Sequence, residues 1–199
     1  MGSAVRALDL LPRREAFTRQ EANTRGLSDR AFYQLLADGK IERIGHGLYL
    51  HAADTDADID LIEVASKSPQ ATLCLSSSLA RHGLIDEIPA RTDLALPRGK
   101  TPPVLTAAVR WHAFDKASFA IGRSWVPIEG SKLEIGMYSA ERSIVDAFRL
   151  RGVIGYETAT EALRNWLGHK GSSPATLIAI ASELPRAQWP LRQALDILS

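Results

Sequence analysis

At 199 residues, 45% of them hydrophobic and 24% charged, the chain is long enough to bury a proper core as one large or two small domains, with the composition of an ordinary soluble globular protein. A single cysteine, Cys74, excludes an internal disulfide framework and fits a reducing cytoplasm, and no run approaches the roughly eighteen apolar residues of a membrane span. The net charge of only +1 argues against strong nonspecific nucleic-acid binding: residues 1–51 hold eight basic against six acidic residues and the remainder sixteen against seventeen, so any DNA contact depends on where charges sit.

In chain order, the N-terminal segment acquires charge at once and lacks the apolar core of a secretory signal. Val5 to Arg14 can form a short amphipathic helix carrying Leu8 and Leu11, with Pro12 near its end. Thr18 and Glu21 stand at capping-box spacing and open a second helix that Gly26 closes. Ser28 is a good N-cap for a third helix running to about Asp38. Its residues sort by face: Ala31, Phe32, Leu35 and Leu36 form an apolar stripe, while Arg30, Tyr33, Gln34 and Ala37 fall on the other side. Gly39 ends it, and two strand-like runs, Ile41 to Ile44 and Leu48 to His51, flank a Gly45-His46-Gly47 turn.

That order predicts a winged helix-turn-helix, with the third helix in a DNA major groove. Arg30, Tyr33 and Gln34 would face the bases, because they can donate to base edges. Arg19, Arg25, Lys40, Arg43 and His46 would meet phosphates, and Ser28 at the helix N-terminus belongs to the same DNA-binding set. The competing reading is a module of the same shape that binds only protein.

Beyond the polar connector Ala52–Ala57, Asp54, Asp56 and Asp58 imitate the start of a calcium loop, but Ile59 and Ala65 occupy the positions that need Gly and Glu. The acidic residues fit a helix start better, and the following helix, Asp58 to Ser66, would bury Ile59, Ile62 and Val64. Ala71 to Leu75 reads as a strand, with Cys74 a buried small hydrophobe. Ser76-Ser77-Ser78 opens a short helix near His82; without a glycine-flanked nucleophile turn, the serines read as caps. Strands are expected at Asp93–Leu96, Val109–Phe114, Ser124–Ile128 and Leu133–Tyr138, the last two as a hairpin, making a sheet of about five. Helices follow at Ala140–Leu150, Tyr156–Leu167, Pro174–Glu183 and Pro190–Leu198, with Ser139 and Ser173 as N-caps and both prolines at N1. The fold class is therefore α+β: an N-terminal winged helix-turn-helix at 1–52, then a mixed α/β domain at 58–199 with a small sheet and a helical C-terminus.

Several stretches taken together resemble the AbiEi-like antitoxins. These are Ser76-Ser77-Ser78-Leu79-Ala80-Arg81-His82-Gly83-Leu84, then Ile88-Pro89, then the Pro97-Arg98-Gly99 turn that ends a strand. Tyr138-Ser139-Ala140-Glu141-Arg142-Ser143-Ile144-Val145-Asp146 is similar to the family's S-P-E-R-T-L-V-D segment, with Ala140 in place of proline, and Gly47-Leu48-Tyr49 to its wing end. The resemblance spans roughly residues 17 to 167. It implies a DNA-binding transcriptional regulator and antitoxin of a type IV toxin–antitoxin system that represses its own operon at inverted repeats. The implied partner is a nucleotidyltransferase-like toxin, countered without a tight complex, and the regulator would be a cytoplasmic monomer or weak dimer. The alternative is neutralisation of that partner by direct contact.

Catalytic signatures are missing. No Gly-Ser followed by Asp-x-Asp marks the toxin's own chemistry, and no phosphate-binding P-loop is present. Glu129-Gly-Ser-Lys132 is one residue too long for a nuclease motif, and the histidines at 46, 51, 82, 112 and 169 lack zinc spacing. The expectation is no enzyme, no metal and no cofactor. Arg81, Arg98, Lys100 and Arg142 are candidates for a basic surface on the second domain, although Arg142 could instead pair within its own helix.

Overall fold

The computed structural model describes residues 2–45, 47–54, 57–184 and 186–198. It divides into two compact units: Met1–Pro69 with Pro103–Ala107 and Val126–Ile135, and Gln70–Pro102 with Ala108–Trp125 and Gly136–Ser199.

In the first unit, α1 (Gly2–Asp9) is followed by β1 (Phe17–Thr18), α2 (Arg19–Thr24), α3 (Asp29–Ala37), β2 (Ile41–Gly45), β3 (Leu48–His51) and α4 (Ile59–Lys67). The capping box forms as the spacing predicts: Thr18 Oγ1 accepts from Glu21 N at 3.1 Å, and Glu21 Oε2 accepts from Thr18 N at 2.7 Å. That backbone N–H also holds the Glu21 carboxyl below the usual range. Gly26, at φ 93°, makes the left-handed turn that a side chain would resist, and Ser28 Oγ accepts from Ala31 N to start α3.

Leu11, Phe17, Ala22, Leu27, Phe32, Leu35 and Ile41 close one core, with the Tyr49 ring edge-on to Phe32 at 4.8 Å. The wing is a three-stranded antiparallel sheet in the order β1-β3-β2, with Phe17 opposite Tyr49 and Ile41 opposite His51. Strand β1 was not anticipated, because two residues show no alternation. The first helix stops at Asp9, short of the expected Arg14. Asp58 caps α4 through Leu61 N at 3.1 Å, as the helix-start reading of the acidic connector expects. Ile62 and Val64 are buried there, whereas Ile59 is 42% exposed and does not join the core: as the first helical residue it precedes the turn that packs.

The rest of the chain runs through β4 (Thr72–Leu73), α5 (Leu75–Arg81), β5 (Thr92–Pro97), β6 (Val109–Phe114), β7 (Arg123–Pro127) and β8 (Glu134–Tyr138) to five helices, all in the second unit except residues 126–127 of β7 and 134–135 of β8. These are α6 (Ala140–Arg149), α7 (Arg151–Ile154), α8 (Tyr156–Leu167), α9 (Pro174–Glu183) and α10 (Gln188–Leu198). The five strands form one mixed sheet in the order β6-β5-β4-β8-β7, with β4 antiparallel to β5 and parallel to β8, and β5 parallel to β6. The helices bury Leu79, Ile144, Val145, Phe148, Leu163, Trp166, Leu177 and Leu191 in the larger core. An α+β fold with an N-terminal winged helix, a small mixed sheet and a helical C-terminus is what the chain adopts.

Two local readings are corrected, the serine caps of α5 and Pro190 at N1. Ser76–Ser78 do not cap α5. Cys74 holds the N-cap position and makes no side-chain cap bond, Leu75 follows at φ 46°, and the serines lie inside the helix. Ser77 Oγ there accepts from Asp93 N at 2.8 Å, and Ser78 Oγ donates to Leu75 O at 3.0 Å. Pro190 falls two residues inside α10, which starts at Gln188, whereas Ser173 does hold the N-cap of α9 with Pro174 after it, without a side-chain cap bond.

The largest correction is Arg142, which is fully buried and no part of a basic surface. Its Nε donates to Asp146 Oδ2 at 2.8 Å, and Nη1 donates to the carbonyls of Ser118 and Ile121 at 2.8 and 2.7 Å. The guanidinium lies 4.4 Å from the Tyr138 ring centroid, and Arg149 reaches the other carboxylate oxygen at 2.7 Å. Gly122 closes over it at φ 66°, where a Cβ would stand 2.7 Å from that of Arg142.

Candidate nucleic-acid interface

Helix α3 turns Phe32 and Leu35 into the core and leaves Arg30, Tyr33, Gln34 and Ala37 exposed, so the face separation predicted from the sequence is present. These four carry no acidic group. The side chains of Arg30, Arg25 and Lys40 are exposed and make no hydrogen bond or ion pair among the described residues, which leaves their donors available to a ligand.

The other candidates are tethered. Arg19 Nη1 donates to Tyr33 Oη at 3.0 Å, and its Nε lies 3.6 Å from Asp29 Oδ1. The Tyr33 hydrogen bond, then the Asp29 charge, raise the Arg19 pKa and keep the guanidinium charged. Asn23 Nδ2 donates to the same Asp29 oxygen at 3.0 Å, which ties α2 to the start of α3. Gln34 Nε2 donates to Asp38 Oδ1 at 2.8 Å, one helical turn on. Arg43 folds back on the wing, its Nε donating to Gly45 O at 3.1 Å, where the β2–β3 register shifts. The Ser28 hydroxyl is engaged as the α3 cap. His46 lies outside the described residues.

His51, at the end of the wing, is 1% exposed, with its ring edge-on to Phe17 at 6.1 Å and both nitrogens buried without a hydrogen-bond partner among the described residues. Burial, aided by Arg13, lowers its pKa, so it is a neutral core group rather than a phosphate contact.

In the second unit Arg81 is exposed in the last turn of α5, and Arg98 and Lys100 are exposed on the turn after β5. Gly99, at φ 89°, lets that turn close, with Lys100 N donating to Pro97 O at 3.0 Å. Sequence reasoning missed that Arg98 shares a cleft with His112, Arg149 and Arg186, which come from three other segments; no spacing rule links them. His112 is held there by a 2.8 Å bond between Nε2 and buried Asp93. Among the described residues no group of three or more His, Cys, Asp or Glu could hold a metal ion, and no helix is long and apolar enough to cross a membrane.

A capped helix-turn-helix backed by a three-stranded wing, with Arg30 on the exposed face of its second helix, is a winged-helix arrangement. Residues 6–50 match the family described as transcriptional regulator, AbiEi antitoxin. No curated protein matches the chain. Among solved structures, the crystal structure of the RV2827C protein from Mycobacterium tuberculosis is similar at 16% identity and a TM-score of 0.64, covering 97% of this chain and 76% of that one. That likeness concerns the fold.

Proposed function

We propose that the winged module binds double-stranded DNA with α3 in the major groove, and that the chain represses its own operon at inverted repeats as the antitoxin of a type IV toxin–antitoxin system. The observation that carries this is the exposed α3 face: Arg30 free, Tyr33 and Gln34 beside it, and no carboxylate among them. Arg30 would read a base edge, while Arg25 and Lys40 fix register on phosphates. Arg19, already oriented by Tyr33 and Asp29, would add a positioned phosphate contact, and Arg43 and His46 would add two more. The weak charge surplus of this end, +2 over residues 1–51, favours two copies on an operator over strong binding by one module. On this reading residues 1–52 are the DNA-binding domain and 58–199 the antitoxin domain. The protein acts in the cytoplasm, is not itself an enzyme, and counters a nucleotidyltransferase-like toxin without a tight complex.

A gel-shift series on the promoter upstream of the gene tests it. Arg30→Ala should relax sequence preference, at a cost of about 1–3 kcal/mol on the cognate site if the contact is bidentate to guanine. Lys40→Ala should weaken all sequences alike and flatten the salt slope by about one unit. Binding left unchanged by both substitutions would sink the assignment. Stable co-purification with a toxin, without promoter binding, would favour neutralisation by contact instead.

A further inference from the structure

The second unit contains a cleft of about 530 Å³ bounded by Arg98, Trp111, His112, Phe114, Arg149 and Arg186, with Asp115 its one acidic lining residue. We propose that this cleft binds a free nucleotide, its phosphates held by Arg98, Arg149 and Arg186 and its base lying against Trp111.

Charge is the first reason. Three guanidinium groups face a single carboxylate, and Asp115 Oδ1 is already engaged in its own loop, accepting from Ala117 N at 2.9 Å. A Cβ on Gly99 would stand 4.0 Å from Lys116 Nζ, so a fourth cation flanks the Arg98 turn. Arg149, which also lines the cleft, is held in place by Asp146 at 2.7 Å and by the Phe114 ring, whose centroid is 5.1 Å away. A guanidinium fixed in this way offers a phosphate a planar, pre-oriented fork of donors.

Size and shape select the nucleotide. The volume falls within the range of about 300–1,000 Å³ typical of small-molecule sites. Trp111 lies half-buried on β6, the edge strand of the sheet, where a flat ring can be stacked upon. The remaining lining residues Ala113, Leu150 and Val153 are apolar, so the cleft offers no continuing line of cations for a polymer backbone to follow.

Calorimetric titration of the full-length protein at about 150 mM salt with ATP, GTP, CTP, UTP, inorganic tripolyphosphate and a thymidine oligonucleotide tests this. At least one nucleotide should bind at a single site, and more tightly than tripolyphosphate. Arg98→Ala and Arg186→Ala should each weaken it about tenfold or more, as loss of a charge-assisted hydrogen bond does. Trp111→Ala should weaken the nucleotide and leave tripolyphosphate unaffected. Arg98 lies on an exposed turn, so Arg98→Ala alone decides the matter should Arg186→Ala fail to fold by circular dichroism. Arg30→Ala, in the other unit, should leave nucleotide binding intact, which separates this result from the DNA assignment. Four outcomes would each overturn the proposal: no nucleotide bound at millimolar concentration, tripolyphosphate bound as tightly as any nucleotide, the oligonucleotide preferred with the same dependence on Arg98, or binding indifferent to both arginine substitutions.

Discussion

Helices α3 and α6 start from nearly the same local instructions and end with their arginines in opposite places. Each opens on a serine whose hydroxyl accepts a backbone N–H from the first turn, Ser28 from Ala31 and Ser139 from Arg142. Each carries an arginine in that turn. Arg30 emerges into solvent, whereas Arg142 is fully buried. The cap sets where a helix begins and says nothing about which side faces the core. What separates the two is the next turn and the neighbouring loop. Four residues beyond Arg30 stands Gln34, neutral and exposed; four beyond Arg142 stands Asp146, and the loop from Ser118 to Gly122 supplies two carbonyls. A buried charge persists only where its partners are complete, so one arginine became structural and the other stays in solvent.

Breaking the buried pair should give the largest effect. Asp146→Ala leaves two guanidinium groups, Arg142 and Arg149, without their carboxylate, at a cost of about 3–5 kcal/mol in urea unfolding followed by circular dichroism. Because the lesion lies in the second unit, the α3 contacts should survive wherever the protein remains folded, and the gel shift of the surviving fraction checks that. A loss under 1 kcal/mol would mean that the α6 network is not the structural element its geometry suggests.

Much of the first unit was legible because its punctuation is chemical. Thr18 with Glu21, Gly26, Ser28 and Gly39 mark ends that only those residue types make well, and the 3.6-residue stripe of Phe32 and Leu35 assigns the faces between them. The strands of the larger sheet were legible for similar reasons, Val109–Phe114 to the residue. Elements too short to show a period were not, namely β1 and α7. Nor were groupings that tertiary structure alone creates. The sequence offered Arg142 both as a surface cation and as the partner of a helical acid; only the aromatic rings of Tyr138 and Phe114 and the Ser118–Gly122 loop decide between them. Arg98, Arg149 and Arg186 are likewise brought together from segments with no common pattern.

The caps sharpen the comparison at intermediate size. Ser28→Ala should cost about 1 kcal/mol of stability by thermal unfolding, the ordinary value for losing an N-cap. Ser139→Ala should cost more, because the Ser139 backbone N–H also donates to Gly122 O at 2.7 Å, and any shift there disturbs the placement of Arg142. Equal losses at the two sites would show that the buried network does not depend on how α6 begins.

The smallest expected stability effect is at Arg30, and its smallness is informative. Arg30→Ala removes an exposed side chain with no hydrogen bond or ion pair among the described residues, and alanine is the better helix former. Unfolding should therefore shift by no more than about 0.5 kcal/mol in either direction. Arg142, placed in the same turn of its own helix, cannot be truncated without loss of the fold around it. A residue whose removal leaves stability unchanged but alters promoter binding serves the ligand. If Arg30→Ala destabilised the protein by as much as a lost cap, Arg30 would be part of the scaffold, and the base-reading role would have to pass to Tyr33 and Gln34.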